Sequence, residues 1–197
     1  MRIALISEHA SPLAAIAGVD AGGQNVHVAE LAAALHRQGH EVTVYTRRDA
    51  PDLPETVPTA RGFTVVHVPA GPARHIPKDE LLPYMHPFGL WLAERWAATG
   101  APDIVHAHFW MSGVAAEVAT SAVPVPVVQT FHALGSVKRR YQTTADTSPP
   151  ERVDIERRIA LSAARVIAQC TDEVDELAAL GVPRSKISIV ASGVDAQ

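Results

Sequence analysis

The sequence is short of aromatic residues, has one cysteine, carries no excess of basic charge and contains no long apolar run. Each shortage excludes a class of protein. A lone Cys170 cannot build an intrachain disulfide framework and fits a reducing compartment. With 17 basic against 21 acidic residues, the formal charge is −4, so there is no broad basic face for a nucleic acid. No apolar stretch approaches the roughly 20 residues needed to cross a bilayer. Met1 to Ile6 leads straight into a polar loop, without the apolar region and cleavage site of a secretion signal. A soluble, cytoplasmic chain with no transmembrane segment is the expectation. Aromatics are only 5%, yet 47% of residues are hydrophobic and 19% charged, a balance that suits a globular α/β protein and argues against disorder. At 197 residues the chain can bury one good core, which fits one domain better than two.

Hydrophobic periodicity supplies the elements. Residues 2–7 form a nearly continuous apolar run, as in a strand covered on both faces of a parallel sheet. A loop of about fifteen residues follows, longer than most strand-to-helix connections. Over 23–38, Val28, Leu31, Ala32 and Leu35 share one helical face, and Gly39 stops the helix. Further strands are predicted at 41–46, 61–68, 102–106, 125–131, 165–168 and 186–190. Further helices are predicted at 111–121, 151–163 and 172–180, and one at 79–98 that Pro83 and Pro87 should interrupt. Pro51, Pro54 and Pro58 mark 49–59 as a surface loop. This alternation implies right-handed βαβ units and a doubly wound, parallel α/β sheet.

In such a sheet ligands bind beyond the carboxyl ends of the strands, near the reversal of strand order. Gly22-Gly23 lies where the first helix begins. It either brings free N–H groups and the helix dipole to an anion or simply opens the helix. The pattern is not G-x-G-x-x-G, which weighs against a nicotinamide or flavin dinucleotide. His132 follows a buried strand and should emerge at the carboxyl edge, either for hydrogen bonding or proton handling or as a satisfied structural residue. His106 and His108 are two apart and point the same way on a strand. With no third ligand identifiable in the sequence, they read as packed strand-end residues rather than metal ligands. Lys138-Arg-Arg140 and Lys78 are either solvated cations or contacts for an anionic substrate group. Cys170 reads as a core thiol.

Four segments, in order and spacing, resemble the retaining glycosyltransferases of family 4, which have the GT-B architecture of two Rossmann-like domains. They are Asp20-Ala-Gly-Gly-Gln-Asn-Val, His106-Ala-His-Phe-Trp-Met-Ser-Gly113, Gln129-Thr-Phe-His-Ala-Leu-Gly-Ser-Val-Lys138 and Ser192-Gly-Val-Asp195. Within the family the likeness is to actinobacterial inositol-phosphate transferases of the mycothiol pathway, and sucrose-phosphate synthases share the glycine motif. The resemblance implies that residues 1–197 are the amino-terminal, acceptor-side domain, without the carboxy-terminal donor-binding domain. It implies that Gly22, Gly23 and Gln24 lie against the donor diphosphate, with His132 as the catalytic residue near the transferred sugar. Asn25, Lys78, Phe109 and Lys138 would face the acceptor, and Ser192 to Asp195 would form the hinge. It further implies a nucleotide-sugar substrate (UDP-, GDP- or ADP-linked), a small-molecule or glycan acceptor, and neither cofactor nor metal. Phe109 and Ala133 stand where the inositol-phosphate enzymes have Tyr and Thr, and losing two hydroxyls argues against inositol phosphate as acceptor.

Two other functions compete with transfer. A stand-alone nucleotide-binding or oxidoreductase domain has an acidic candidate in Asp49 but the wrong glycine pattern. A non-catalytic interaction domain would keep the fold and lack the donor half.

Overall fold

The computed structural model describes residues 1–14 and 22–193. Its apolar first strand, β1 (Arg2–Ile6), is covered on both sides because it runs through the middle of an eight-stranded sheet. The chain then forms α1 (Gly23–Arg37), β2 (Glu41–Arg47), β3 (Thr56–Pro58), β4 (Thr64–Val68) and α2 (Met85–Thr99). After these come β5 (Ile104–His108), α3 (Trp110–Ala122), β6 (Val127–Thr130) and α4 (Gly135–Gln142). The last elements are α5 (Arg152–Ser162), β7 (Arg165–Ala168), α6 (Thr171–Ala179) and β8 (Ile187–Ile189). The strand order is β3-β4-β2-β1-β5-β6-β7-β8, parallel at every pairing except β3 with β4.

Side chains alternate across the sheet with period two, and this divides the core. Ile3, Leu5, Val42, Val44 and Val65 face Val28, Ala32 and Ala33 of α1. Ala4, Ile6, Tyr45 and Val66 face the other way, in a larger cluster with Phe88, Leu92 and Trp96 of α2, Met111 and Ala115 of α3 and Ile159 of α5. Trp96 meets its polar need there by donating from its indole N–H to the Tyr45 hydroxyl at 3.3 Å. Gly39 closes α1 with φ +86°, its N–H donating to the His36 carbonyl at 2.8 Å.

The doubly wound sheet and every helix and strand predicted from periodicity are present, with boundaries shifted by a few residues. The proline-marked surface loop at 49–59 also contains β3, an antiparallel edge strand. Three residues that end in proline leave no readable alternation, and Pro58 is tolerated because one side of β3 has no strand partner. Pro83 does interrupt the fourth segment, in a 3-10 turn over Leu82–Tyr84. Pro87 does not, because as the third residue of α2 its missing N–H would have had no intrahelical acceptor. Cys170 is an exposed thiol immediately before α6, not a core residue. Its apolar neighbours Val166 and Ala168 belong to β7, and the buried run ends before it.

Helices α2 and α3 approach so closely that a Cβ on Gly89 would lie 2.5 Å from the Ala115 carbonyl oxygen and 2.5 Å from Val118 Cβ. Alanine is the better helix former by about 1 kcal/mol, but overpacking of this kind costs about 1–3 kcal/mol and involves backbone that cannot swing aside. Gly89→Ala is therefore expected to lower the urea midpoint. At Gly23 an added Cβ meets nothing within 4 Å, so Gly23→Ala should leave the midpoint unchanged or raise it slightly.

Candidate functional site

The carboxyl ends of three central strands lie level, since Ile6 pairs with Ala107 and His108 pairs with Thr130. Strand order reverses between β1 and β5, which opens a crevice beyond their carboxyl ends. Everything that follows β1, β5 or β6 is thereby delivered to one edge.

On the β1 side the crevice meets the start of α1. Gly22 and Gly23 are exposed. The Gly22 N–H donates to Asn25 Oδ1 at 3.1 Å, while the amides of Gly23 and Gln24 are first-turn donors without an intrahelical acceptor. Gln24 crosses the crevice, donating from Nε2 to Ser7 Oγ at 3.2 Å and to the His108 carbonyl at 3.4 Å. Asn25, expected at the acceptor, is buried and donates to the Ser11 carbonyl at 2.9 Å, so its carboxamide holds the loop against the helix. Asp20 and Ala21 of the glycine motif, and Val194 and Asp195 of the expected hinge, lie outside the described residues.

On the β5 and β6 side imidazoles gather. His132 Nε2 and His108 Nδ1 are 3.0 Å apart and share one proton in a hydrogen bond. His27 of α1 meets both rings edge-on, at 5.6 Å from His108 and 5.0 Å from His132. His106 and His108 do point the same way, with ring centres 4.1 Å apart, and His106 Nε2 bonds Thr130 Oγ1 at 2.8 Å. The His106–His108 pair is not the one that gains a third member: a different set, His27, His108 and His132, brings ligand nitrogens within 4.8 Å of one another. Two residues of this edge have left-handed backbone without being glycine, Phe109 at φ +77° and His132 at φ +61°. Such strain persists only where the surroundings hold it, and it clusters at sites of function.

Burial sets the charge of this cluster. It pushes His132 and His106 down to about 3, in each case helped by like-charge repulsion from His27. It lowers His27 and carries His108 well below the ordinary imidazole range. At neutral pH the four rings are uncharged and present lone pairs and N–H groups rather than cations.

Beside the imidazoles, the buried Phe109 ring lies between two cations: Lys78 Nζ is 5.6 Å and Arg152 Cζ 5.2 Å from its centre. Lys78 is exposed. Arg152 is buried. It donates to Glu156 Oε1 at 2.7 Å, to Ser148 Oγ at 3.0 Å and to the Ala133 carbonyl at 2.5 Å. Glu156 accepts in turn from the Gly135 N–H at 2.8 Å. Together they hold the segment that follows His132. Lys138, expected at the acceptor, is paired with Asp146 at 3.1 Å and donates to Ser148 Oγ at 3.0 Å. Bonds from Ser148, reinforced by Lys138, hold the Asp146 carboxyl down at about 2. Arg139 donates to the Pro149 and Pro150 carbonyls and Arg140 to Glu176, so each cation of the basic cluster has a partner.

Sequence reasoning missed several residues of this edge. Glu8 is buried after β1, where it accepts from Ser112 Oγ and bonds His9 Nδ1 at 2.7 Å. Arg152 and Glu156 look like ordinary charges on an amphipathic helix, and only their spacing of four residues hints at a pair. His27 lies between Val26 and Val28 on α1, with nothing in its neighbourhood to link it to residues 108 and 132.

A Rossmann-like domain with a glycine-led helix start and a neutral imidazole cluster across one strand edge is the class this geometry defines. The chain belongs to Glycosyltransferase Family 4, whose model matches residues 21–197. It is 40% identical over 196 residues to D-inositol 3-phosphate glycosyltransferase 1 of Catenulispora acidiphila, an alignment covering 98% of this chain and 46% of that protein. Sucrose-phosphate synthase from Thermosynechococcus elongatus superposes with a TM-score of 0.90 at 27% identity, over 98% of this chain and 48% of the other. A structure of Anabaena HepE in complex with UDP-glucose shares the fold at a TM-score of 0.61 and 16% identity, over 99% of this chain and 44% of that one. The chain thus spans about half the length of the curated relatives it matches. Among the described residues no helix is long and apolar enough to cross a membrane.

The buried histidines link stability to pH. Their native affinity for protons is depressed below the unfolded value near 6.5, so below that pH the unfolded chain binds more protons than the native one. Stability is fully present above pH 6.5 and declines as pH falls towards about 3. Calorimetry is expected to show Tm dropping by roughly 5–10 °C per unit between pH 6 and 5, for at least two such groups. Substituting His106→Asn should flatten that slope, and an unchanged slope would contradict the assignment.

Proposed function

We propose that this chain is the acceptor-side, amino-terminal half of a glycosyltransferase that moves a sugar from a nucleotide sugar to an acceptor with retention of configuration. The observation that carries the proposal is the meeting of the glycine-led start of α1 with His132 across the level ends of β1, β5 and β6. Family membership gives that meeting its chemistry. The fold neighbour whose structure holds UDP-glucose supports a nucleotide sugar as donor, with the base left among uracil, guanine and adenine.

In this proposal the Gly23 and Gln24 amides and the α1 dipole stabilise negative charge on the donor diphosphate as the leaving group departs, and Gly22 lets it approach. Preorganised donors of this type cost no reorganisation at the moment of reaction. Neutral His132, held by His108 and by strained backbone, hydrogen-bonds the transferred sugar through a ring nitrogen without introducing a competing positive charge. Lys78 and the Phe109 ring form the acceptor wall, with Asn25 and Lys138 shaping it from behind through Ser11 and Asp146. A partner domain beyond residue 197 closes over the donor and excludes water, so the reaction needs neither metal nor cofactor. Phe109 and Ala133 leave the acceptor wall without two hydroxyls, which favours an acceptor other than inositol phosphate.

The test is a screen of the longer protein, with the sequence that follows residue 197, against UDP-, GDP- and ADP-sugars. Transfer with retention is expected from one donor class. His132→Ala should reduce kcat at least a hundredfold, and Gly23→Ala should weaken donor binding while Tm is unchanged. The 197-residue chain alone should bind nucleotide sugar weakly and turn over little. Tight binding of NAD to it, or unaided turnover, would overturn the proposal.

A further inference from the structure

The edge that gathers His27, His108 and His132 carries a second property that transfer does not use. His108 is fully buried, and its Nε2 has no hydrogen-bond partner among the described residues. A buried ring nitrogen without a partner calls for an explanation. Its other nitrogen is already engaged with His132 Nε2 at 3.0 Å. The ligand atoms of the three residues lie within 4.8 Å of one another.

The geometry points to a transition-metal site of the zinc type, made by the imidazoles of His27, His108 and His132. Tetrahedral zinc with bonds of about 2.0–2.1 Å places its nitrogens roughly 3.3 Å apart. Ligand nitrogens that lie within 4.8 Å of one another therefore need to close by at most about 1.5 Å. The three rings come from three elements, α1, the end of β5 and the residue pair after β6. His108 is fixed at the end of the paired strand β5 and His132 lies two residues beyond β6, while His27 is half-buried on α1. Three imidazole donors without a carboxylate suit Zn²⁺, Co²⁺ or Ni²⁺ and disfavour Mg²⁺ and Ca²⁺, which take oxygen ligands. His27 and His132 are only partly enclosed, which leaves the fourth position facing the crevice. Metal there withholds the His132 lone pair from any sugar, so occupancy opposes transfer. That consequence rests on the proposed function, whereas metal binding itself does not.

Tag-free chain stripped with EDTA and titrated with zinc chloride at pH 7.5 by calorimetry tests the site. One Zn²⁺ per chain is expected. His27→Ala and His132→Ala should each weaken binding at least tenfold, while His86→Ala, at an exposed residue of α2 outside the cluster, should change it less than twofold. Cobalt(II) added to the unsubstituted chain should give the intense visible absorption of a tetrahedral site, and excess zinc should abolish it. His27 lies on a partly exposed helix face, so its alanine variant should fold, and circular dichroism checks this. Absence of stoichiometric zinc binding, an octahedral cobalt spectrum, or equal affinity in the folded His27→Ala variant would overturn the site. Zinc binding by the chain, together with no transferase activity in the EDTA-stripped longer protein, would instead overturn the functional proposal and leave the metal site standing.

Discussion

Parallel pairing of β5 with β1 and of β6 with β5, in a register that leaves the three carboxyl ends level, is the constraint on which this molecule rests. A parallel ladder cannot slip by one residue without exchanging the faces of a strand that is covered on both sides. Register here is therefore enforced by the two clusters that clamp the sheet, through Ile3 and Leu5 on one face and Ala4 and Ile6 on the other. Once register is set, Ser7, His108 and His132 emerge beside one another without further specification. The close α2–α3 contact at Gly89 and the Trp96–Tyr45 hydrogen bond keep the larger cluster dense enough to hold it.

The site combines two kinds of order. On the α1 side the backbone does the work: exposed glycines and unpaired first-turn amides form a surface that favours negative charge. Across the crevice neutral rings are fixed in contact, under left-handed backbone at Phe109 and His132. Arg152 and Glu156 connect the imidazole half to the body of the fold, because they bind the backbone of Ala133 and Gly135 on either side of Leu134. A buried ion pair contributes little net stability. Its value here is positional, since the segment it ties down begins at His132.

Much of the fold was legible in the sequence. Apolar runs marked the strands, the 3.6-residue period marked α1, α3, α5 and α6, and Gly39 marked a helix end, because local steric preference and burial patterning act over a few residues. Edge strand β3 was not legible: three residues that end in Pro58 carry no period, and their identity as a strand comes from pairing with β4. Pro87 misled because its effect depends on position within a helix whose start is set by the preceding 3-10 turns. The exposure of Cys170 likewise follows from where β7 ends rather than from its own chemistry.

Gly22-Gly23 and His132 could be read as candidates from the residues themselves, since each follows or precedes an element whose end must reach the sheet edge. Family resemblance came from four short segments and is matched by the family model across residues 21–197. By itself, then, the sequence determined the α/β class, the family and the strand edge that carries the candidate site. Only the tertiary structure decided that His27, eighty-one residues from His108, completes the imidazole cluster. It alone paired Lys138 with Asp146, turned Asn25 inward and buried Arg152 against Phe109. The reason is physical: periodicity records which way a residue faces its own element, whereas contacts between elements depend on strand order and register, which no short stretch encodes.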